Sequence, residues 1–318
     1  MSQLSVVICT WNRADQLAES LASLAQQQAP DGLAVEVLVV DNNSRDHTAD
    51  KVKALIPHWP LGTLHYLFEP RQGKQFALNT GIRASRGEVL AFTDDDILFP
   101  PGWIAAAWQA FAQDPSLQLV GGKTLLGWPD GGAPPWYWPD MAAILGGVDL
   151  GDAALQPPPP GYSPAGANMA ARRSLFDRVG LFAESHFRHM DYEFGMRSQA
   201  AGVGIAYDPA LLVQAPIADG MLSKRYFRRW SFKAGINAER KPDEVQMLGV
   251  SRWLWRQAAG DLLRWPLQRL RSQGRAFSTE LRLWRAWGSL ASSWYARWRP
   301  QDYPKWVERY SQKTNNLY

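Results

Sequence analysis

The sequence predicts an α/β protein: a mostly parallel sheet flanked by helices, followed by an amphipathic helical appendage. Three observations predict it. Short apolar runs rich in β-branched residues alternate with helical periodicity over the first hundred residues. A polar cluster follows each run, and beyond residue 223 the composition turns basic and rich in tryptophan. At 318 residues the chain can bury a large core. The expected boundaries are an α/β domain at 1–223, with halves 1–100 and 101–223, and a helical region at 224–318.

LSVVIC (4–9), VEVLVV (35–40), LHYLF (64–68) and EVLAF (88–92) read as buried strands. Between the first two, Leu17, Leu21 and Leu24 recur at helical spacing behind Asp15, a candidate N-cap. Such alternation implies parallel pairing through crossover helices, with ligands bound outside the carboxyl ends of the strands. TWNR (10–13), DNNS (41–44), EPRQGK (69–74) and TDDD (93–96) each follow a strand and should share one edge. Turn chemistry alone favours such residues, but four clusters in succession, two with carboxylates, fit it poorly. Residues 121–167, rich in Gly, Pro and aromatics, read as a long irregular connection over that edge. ANMAARRSLFDRVG then returns to strand and helix, and HMDYEFGMRSQAAG reads as a loop entering a helix stopped by Gly202.

Asp94, Asp95 and Asp96 stand side by side. Two carboxylates roughly 5 Å apart repel by about 3 kcal/mol at an effective dielectric of about 20, so something must offset them. Hard oxygen donors at a strand end suit Mg²⁺ or Mn²⁺, completed by water and substrate phosphate. A cap on a helix beginning near Pro101 would explain one aspartate and leave two. With Asp41, Asn42, Arg71 and Lys74 on the same edge, a nucleotide diphosphate is the natural co-ligand. Cys9, the single cysteine, lies within VVIC and reads as a core residue, which excludes internal disulfides. The net charge of +4 conceals a balance of −9 over residues 1–223 and +12 over residues 224–310. The basic tail is therefore expected to meet an anionic surface. With no basic leader and no run of about 18 apolar residues, the expected location is cytoplasmic.

VVICTWNR, VLVVDNNSRDHTAD, PRQGKQFALNTGIRASRGEVLAFTDDDILFP, GANMAARRSLFDRVGLFAE and MDYEFGMRSQAAG, in this order, resemble family 2 of the inverting nucleotide-sugar glycosyltransferases. The resemblance covers roughly residues 4–215. It implies the Rossmann-like GT-A fold, a nucleotide-sugar donor and a Mg²⁺ or Mn²⁺ ion. It further implies that the turn of Thr10, Trp11, Asn12 and Arg13, with Asp41, holds the nucleoside, Asp41 recognising base or ribose, and that Asn43 and Asp95 lie on the same donor side. Lys74 and Asn79 would lie near the diphosphate and donor sugar. Asp94 and Asp96 match the outer positions of the family's DxD motif, with Asp96 the direct metal ligand and Asp94 nearer the ribose. Asp191 stands where the family has its general base, the competing reading being an N-cap. Two departures accompany these matches: Met190 replaces the family's Glu before the base, leaving Glu193 to take over some of its work, and Gln214 stands where many members place a metal-binding His.

What the resemblance implies is a single inverting displacement onto a lipid-linked or cell-surface polysaccharide acceptor. The alternatives are an inactive transferase-like scaffold and nucleic-acid binding through the tail; the acidic body argues against the latter, and no nucleic-acid partner is expected. Trp128, Trp136, Tyr137 and Trp138 either stack on a sugar ring or plug the edge of the core. In the tail, Arg228 and Arg229 fall near the family's arginine-rich helix close to the acceptor. Phe277, Leu281, Trp284, Trp287, Ala291, Trp294 and Trp298 form one stripe with arginines between them. That stripe either packs on the catalytic body or lies on an anionic membrane. The second reading makes residues 224–310 a peripheral anchor at the inner face of the cytoplasmic membrane.

Overall fold

The computed structural model describes residues 3–185, 189–236, 246–247 and 250–311. The chain divides into two compact units, Met1–Gly127 with Gly146–Pro216, and Trp128–Leu145 with Ile217–Tyr318.

The first unit is the α/β domain. In chain order it comprises β1 (Gln3–Thr10), α1 (Ala14–Leu24), β2 (Ala34–Asp41), α2 (Thr48–Leu55), β3 (Thr63–Phe68), α3 (Lys74–Ala84), β4 (Val89–Asp94), α4 (Trp103–Gln113), β5 (Leu117–Gly127), β6 (Asn168–Arg172), α5 (Arg173–Val179), α6 (Met190–Ala200) and β7 (Gly204–Pro216). The strands form a seven-stranded sheet in the order β3-β2-β1-β4-β6-β5-β7. β3, β2, β1 and β4 are parallel, β6 is antiparallel to β4 and β5, and β7 is parallel to β5. This is the mostly parallel sheet with flanking helices that the alternation predicts. β1, β2 and β4 are apolar on both faces because both are covered, whereas β3, expected to be buried, is an edge strand with His65 and Phe68 exposed. Val6, Ile8, Val37 and Val39 pack with Leu17, Leu21 and Leu24 of α1 and Ile104 of α4. Val7, Val40, Leu90 and Phe92 pack on the other side with Leu78 and Ile82 of α3 and Phe194 of α6.

Residues 121–127, expected to open an irregular connection, are instead the second half of β5. Gly121 and Gly122 look like breakers, yet the packing requires them. A Cβ on Gly121 would collide with the Tyr162 hydroxyl, and one on Gly122 with the Leu211 carbonyl. At the start of α1, Asp46 rather than Asp15 accepts the Ala14 N–H, at 3.1 Å, while Asp15 pairs with Lys51.

The second unit contains a 3₁₀ turn at Pro139–Leu145, α7 (Lys224–Ile236), the two-residue strands β8 (Gln246–Met247) and β9 (Val250–Ser251), α8 (Arg252–Arg271), α9 (Gln273–Trp298) and α10 (Tyr303–Ser311). α7 and α9 cross at glycines: a Cβ on Gly235 would strike the Arg285 carbonyl, and one on Gly288 the Phe232 carbonyl. The hydroxyls of Ser289 and Ser292 donate across the crossing to the carbonyls of Gly235 and Ile236 at 3.0 and 3.2 Å. Trp136 packs edge-on against Phe227 and Phe277, with ring centroids 5.1 and 5.2 Å away. Trp128 meets Tyr137 at 4.6 Å, and the Arg275 guanidinium lies over Trp138. Of these aromatics, Trp136 plugs against buried side chains, and those belong to helices of the second unit. The stripe on α9 divides: Phe277 and Leu281 are buried, whereas Trp284, Trp287, Trp294 and Trp298 are exposed. Among the described residues no helix is long and apolar enough to cross a membrane.

Candidate functional site

The parallel strands end together. Their register sets Thr10 beside Asp41, Asp41 beside Phe68 and Cys9 beside Asp94, while antiparallel β6 brings Asn168 beside Thr93. The four polar clusters therefore share one edge of the sheet.

Two cations from other elements meet the three aspartates. The Arg13 guanidinium donates to Asp95 at 3.1 Å and to Asp96 at 2.6 Å, and the Thr10 hydroxyl donates to Asp95 at 2.8 Å. Burial pushes the Asp95 carboxyl above the usual range; Arg13 opposes this, and Asp96 and Asp94 add to it. Asp94 pairs with Lys74, the first residue of α3. Burial works against the Lys74 ammonium, but Asp94 outweighs it and Asp191 adds its charge, so the group is held above the usual lysine range. None of the aspartates caps α4, whose first N–H is taken by Gln27 Oε1 at 2.9 Å. Cys9 is a core residue, its thiol pushed up to about 12 chiefly by burial.

On the nucleoside side, buried Asp41 accepts the Ser44 N–H and the Tyr66 hydroxyl, each at 2.8 Å. Burial and that bond push the Tyr66 phenol up. Asn12 and Asn43 both adopt left-handed backbone, with φ of 50° and 65°. Asn12 accepts the Arg45 N–H at 2.7 Å, and Asn43 donates to the Pro70 carbonyl at 3.3 Å. These bonds tie the three loops together. Asn79 is buried and turned elsewhere: its amide donates to the Phe182 carbonyl at 2.9 Å and accepts the Phe182 N–H at 3.0 Å. Of Lys74 and Asn79, it is Lys74 that reaches the carboxylates.

Glu69 and Asn42 act from behind this edge, and sequence reasoning assigns Glu69 no part. Asn42 donates to the carbonyls of Glu69 and Arg71, at 3.3 and 2.6 Å, and accepts the Gly73 N–H at 2.7 Å. Buried Glu69 accepts the Arg71 guanidinium and N–H and the Thr80 hydroxyl. Its bond to Arg71 holds the carboxyl down at about 2. Together they fix the turn that delivers Lys74. The available signal was an acid two residues before an arginine in EPRQGK.

Asp191 lies in the first turn of α6, one residue inside the helix, so it is not the N-cap; that position belongs to left-handed His189. Its Oδ2 accepts the Gly166 N–H and its Oδ1 the Tyr192 N–H, both at 2.9 Å. A carboxylate is favoured at a helix N-terminus. Met190 is buried in the core, which explains why an acid is absent there. Glu193 is engaged by Arg197 at 2.6 and 3.0 Å. Gln214 exchanges backbone hydrogen bonds with Leu98, both 2.9 Å, so it lies beside the strand end that carries Asp96. Among the described residues no group of three or more His, Cys, Asp or Glu side chains is arranged to hold a metal ion.

Residues 5–141 match the family model described as Glycosyl transferase family 2. Glycosyltransferase AglE of Haloferax volcanii is 33% identical over 227 residues, covering 71% of this chain and 71% of that protein. The succinoglycan biosynthesis protein ExoM of Rhizobium meliloti is 26% identical over 238 residues, covering 73% and 72%. Among solved structures, the mannosyltransferase PcManGT of Pyrobaculum calidifontis, in complex with GDP-Man and Mn²⁺, superposes with a TM-score of 0.53 at 20% identity, covering 97% of this chain and 84% of that one. TarS 1–349 of S. aureus in complex with UDP-GlcNAc gives 0.53 at 19% identity, covering 76% and 68%. At that identity the likeness is one of fold.

Proposed function

Because the chain belongs to glycosyl transferase family 2, we propose that it moves a sugar from a nucleotide-diphosphate donor to a lipid-linked or cell-surface polysaccharide acceptor, inverting the anomeric carbon in one displacement. The observation that carries this reading is the meeting of Asp94, Asp95 and Asp96 with Lys74 and Arg13 on one sheet edge, within the field of Asp191. That two solved neighbours hold GDP-Man and UDP-GlcNAc supports a nucleotide-sugar donor.

Asp41, Thr10, Asn12 and Asn43 bind the nucleoside. Half-exposed Lys74 exchanges part of its contact with Asp94 for the donor diphosphate, a charge-assisted bond that strengthens as the leaving group gains charge. Asp94 and Asp96 are part-exposed hard-oxygen donors, and they fit a Mg²⁺ or Mn²⁺ ion whose other ligands are phosphate oxygens and water, which these ions accept readily in place of an all-protein cage. Such an ion would neutralise charge on the departing diphosphate. Each Asp191 oxygen takes one N–H and keeps lone-pair capacity, so the carboxylate can remove the acceptor hydroxyl's proton as that oxygen attacks. Attack opposite the diphosphate inverts the carbon. The balance of +12 over residues 224–310 supports an anionic membrane, at the inner face of the cytoplasmic membrane, as the surface where this occurs.

Thermal-shift measurement with a panel of nucleotide sugars and Mn²⁺ or Mg²⁺ tests the reading, alongside Asp191→Asn. Selective, metal-dependent stabilisation is expected, retained in the variant, whose turnover falls by about 10²- to 10⁴-fold. No stabilisation by any donor, or donor binding lost together with turnover, overturns it.

A further inference from the structure

α8 faces α9 with the polar residues Asp261 and Gln268 as well as the apolar Leu254 and Ala258, and its open side carries leucines among arginines. Asp261 is buried and accepts two guanidinium nitrogens of Arg282, at 2.9 and 2.8 Å. Gln268 accepts the Thr279 hydroxyl at 2.5 Å. Outward stand Leu262, Leu263, Leu267 and Leu270, with Leu263 81% and Leu270 88% exposed. The open face of a helix bathed in water is polar, without a row of exposed leucines. Leu263, Leu267 and Leu270 follow one another at steps of four and three, so they form one stripe, with Arg264 and Arg271 along its border. On α9, exposed Trp287 and part-buried Leu290 line two neighbouring apolar grooves, the first shared with Leu254 and Ala258 of α8 and the second continuing past Trp294 and Trp298 to Trp306 of α10.

Building on the reading of this region as membrane-facing, we propose that α8 is the segment that enters the bilayer. It lies in the plane of an anionic leaflet, its leucine stripe at the acyl boundary and its arginines at the level of the phosphates. The α9 stripe cannot serve as a whole, because Phe277 and Leu281 are buried, Phe277 against Trp136. Charge selects lipid over a second copy of the chain. Residues 252–299 carry ten arginines and two acids, Asp261 and Glu280, each already bound to an arginine. Two such faces brought together would oppose like charges, whereas anionic headgroups supply the missing sign.

The test uses full-length protein and vesicles of phosphatidylglycerol mixed with phosphatidylcholine, or of phosphatidylcholine alone, at low and high salt. Leu263→Glu combined with Leu270→Glu is compared with Leu55→Glu, an exposed leucine of α2. Separately, Leu263→Cys is labelled with an environment-sensitive fluorophore, Cys9 being buried and unreactive. Expected are salt-sensitive binding to the anionic vesicles, a loss of at least about tenfold in the double variant alone, and a blue shift of the label. Transfer to a short water-soluble acceptor should be unchanged. Wild-type protein that ignores anionic vesicles at low salt overturns both this proposal and the membrane reading. Binding that survives the double substitution, or a label that stays in water, overturns the assignment to α8 and leaves the membrane reading standing. A concentration-dependent dimer abolished by the double substitution would overturn it in favour of a second copy.

Discussion

Lys74 meets Asp94 because the turn before it is held from two sides, by Asn42 and by Glu69. Glu69 makes that support dependent on pH. Its folded-state pKa of about 2 lies below the ordinary 4.5. The stability it contributes is therefore complete above pH 4.5 and is lost as pH falls toward 2. Glu69→Gln should destabilise the protein by about 2 kcal/mol at neutral pH, with Arg71 half exposed, and urea midpoints of variant and wild type should converge on acidification. Midpoints that stay parallel across that range would mean that Glu69 is not the titrating support. The residues of this edge differ in how legible they are in sequence. The aspartates, Asp41 and Lys74 stand out because each follows its own strand. The bonds from Arg13 to Asp95 and Asp96, and from Asn79 to Phe182, join residues far apart in the chain, so no local pattern could assign them.

At the scale of elements, the central strands and the packed face of α1 were legible, and the faces of α8 and α9 were not. A buried parallel strand must be apolar on both sides, and the runs at 4–9, 35–40 and 88–92 announce it, whereas 64–68, read as buried, is the edge strand β3, in which Leu64 alone is buried and Phe68 is exposed. β5 hides behind Gly121 and Gly122, because what demands glycine there is the approach of Tyr162 and Leu211 from elsewhere. On α9 the tryptophan spacing suggests the packed face, yet the closest packing uses Gly288 and Ser292, which carry no hydropathic signal. This crossing gives a sharp contrast between two glycines. Gly288→Val would drive a side chain into the Phe232 carbonyl and should cost about 3 kcal/mol. Gly260→Ala on α8 meets open space and should be neutral or stabilising by up to about 1 kcal/mol. Equal urea midpoints for the two variants would contradict the crossing.

At the scale of the whole molecule, the chain forms two compact units, the second burying Phe227, Phe277 and Leu281 and borrowing a segment from the middle of the first. Two unfolding transitions are therefore expected in calorimetry. Trp136→Ala should lower the one belonging to the helical unit, by about 2–4 kcal/mol of stability, and leave donor binding intact. A single transition that moves as a whole would refute this division. The borrowed segment also orders events on the ribosome. Trp136 emerges roughly ninety residues before Phe227 and roughly 140 before Phe277, a lag on the order of five to thirty seconds at about 5–20 residues per second. For that interval the nascent chain displays an aromatic plug whose socket has yet to be made, an obvious foothold for a chaperone.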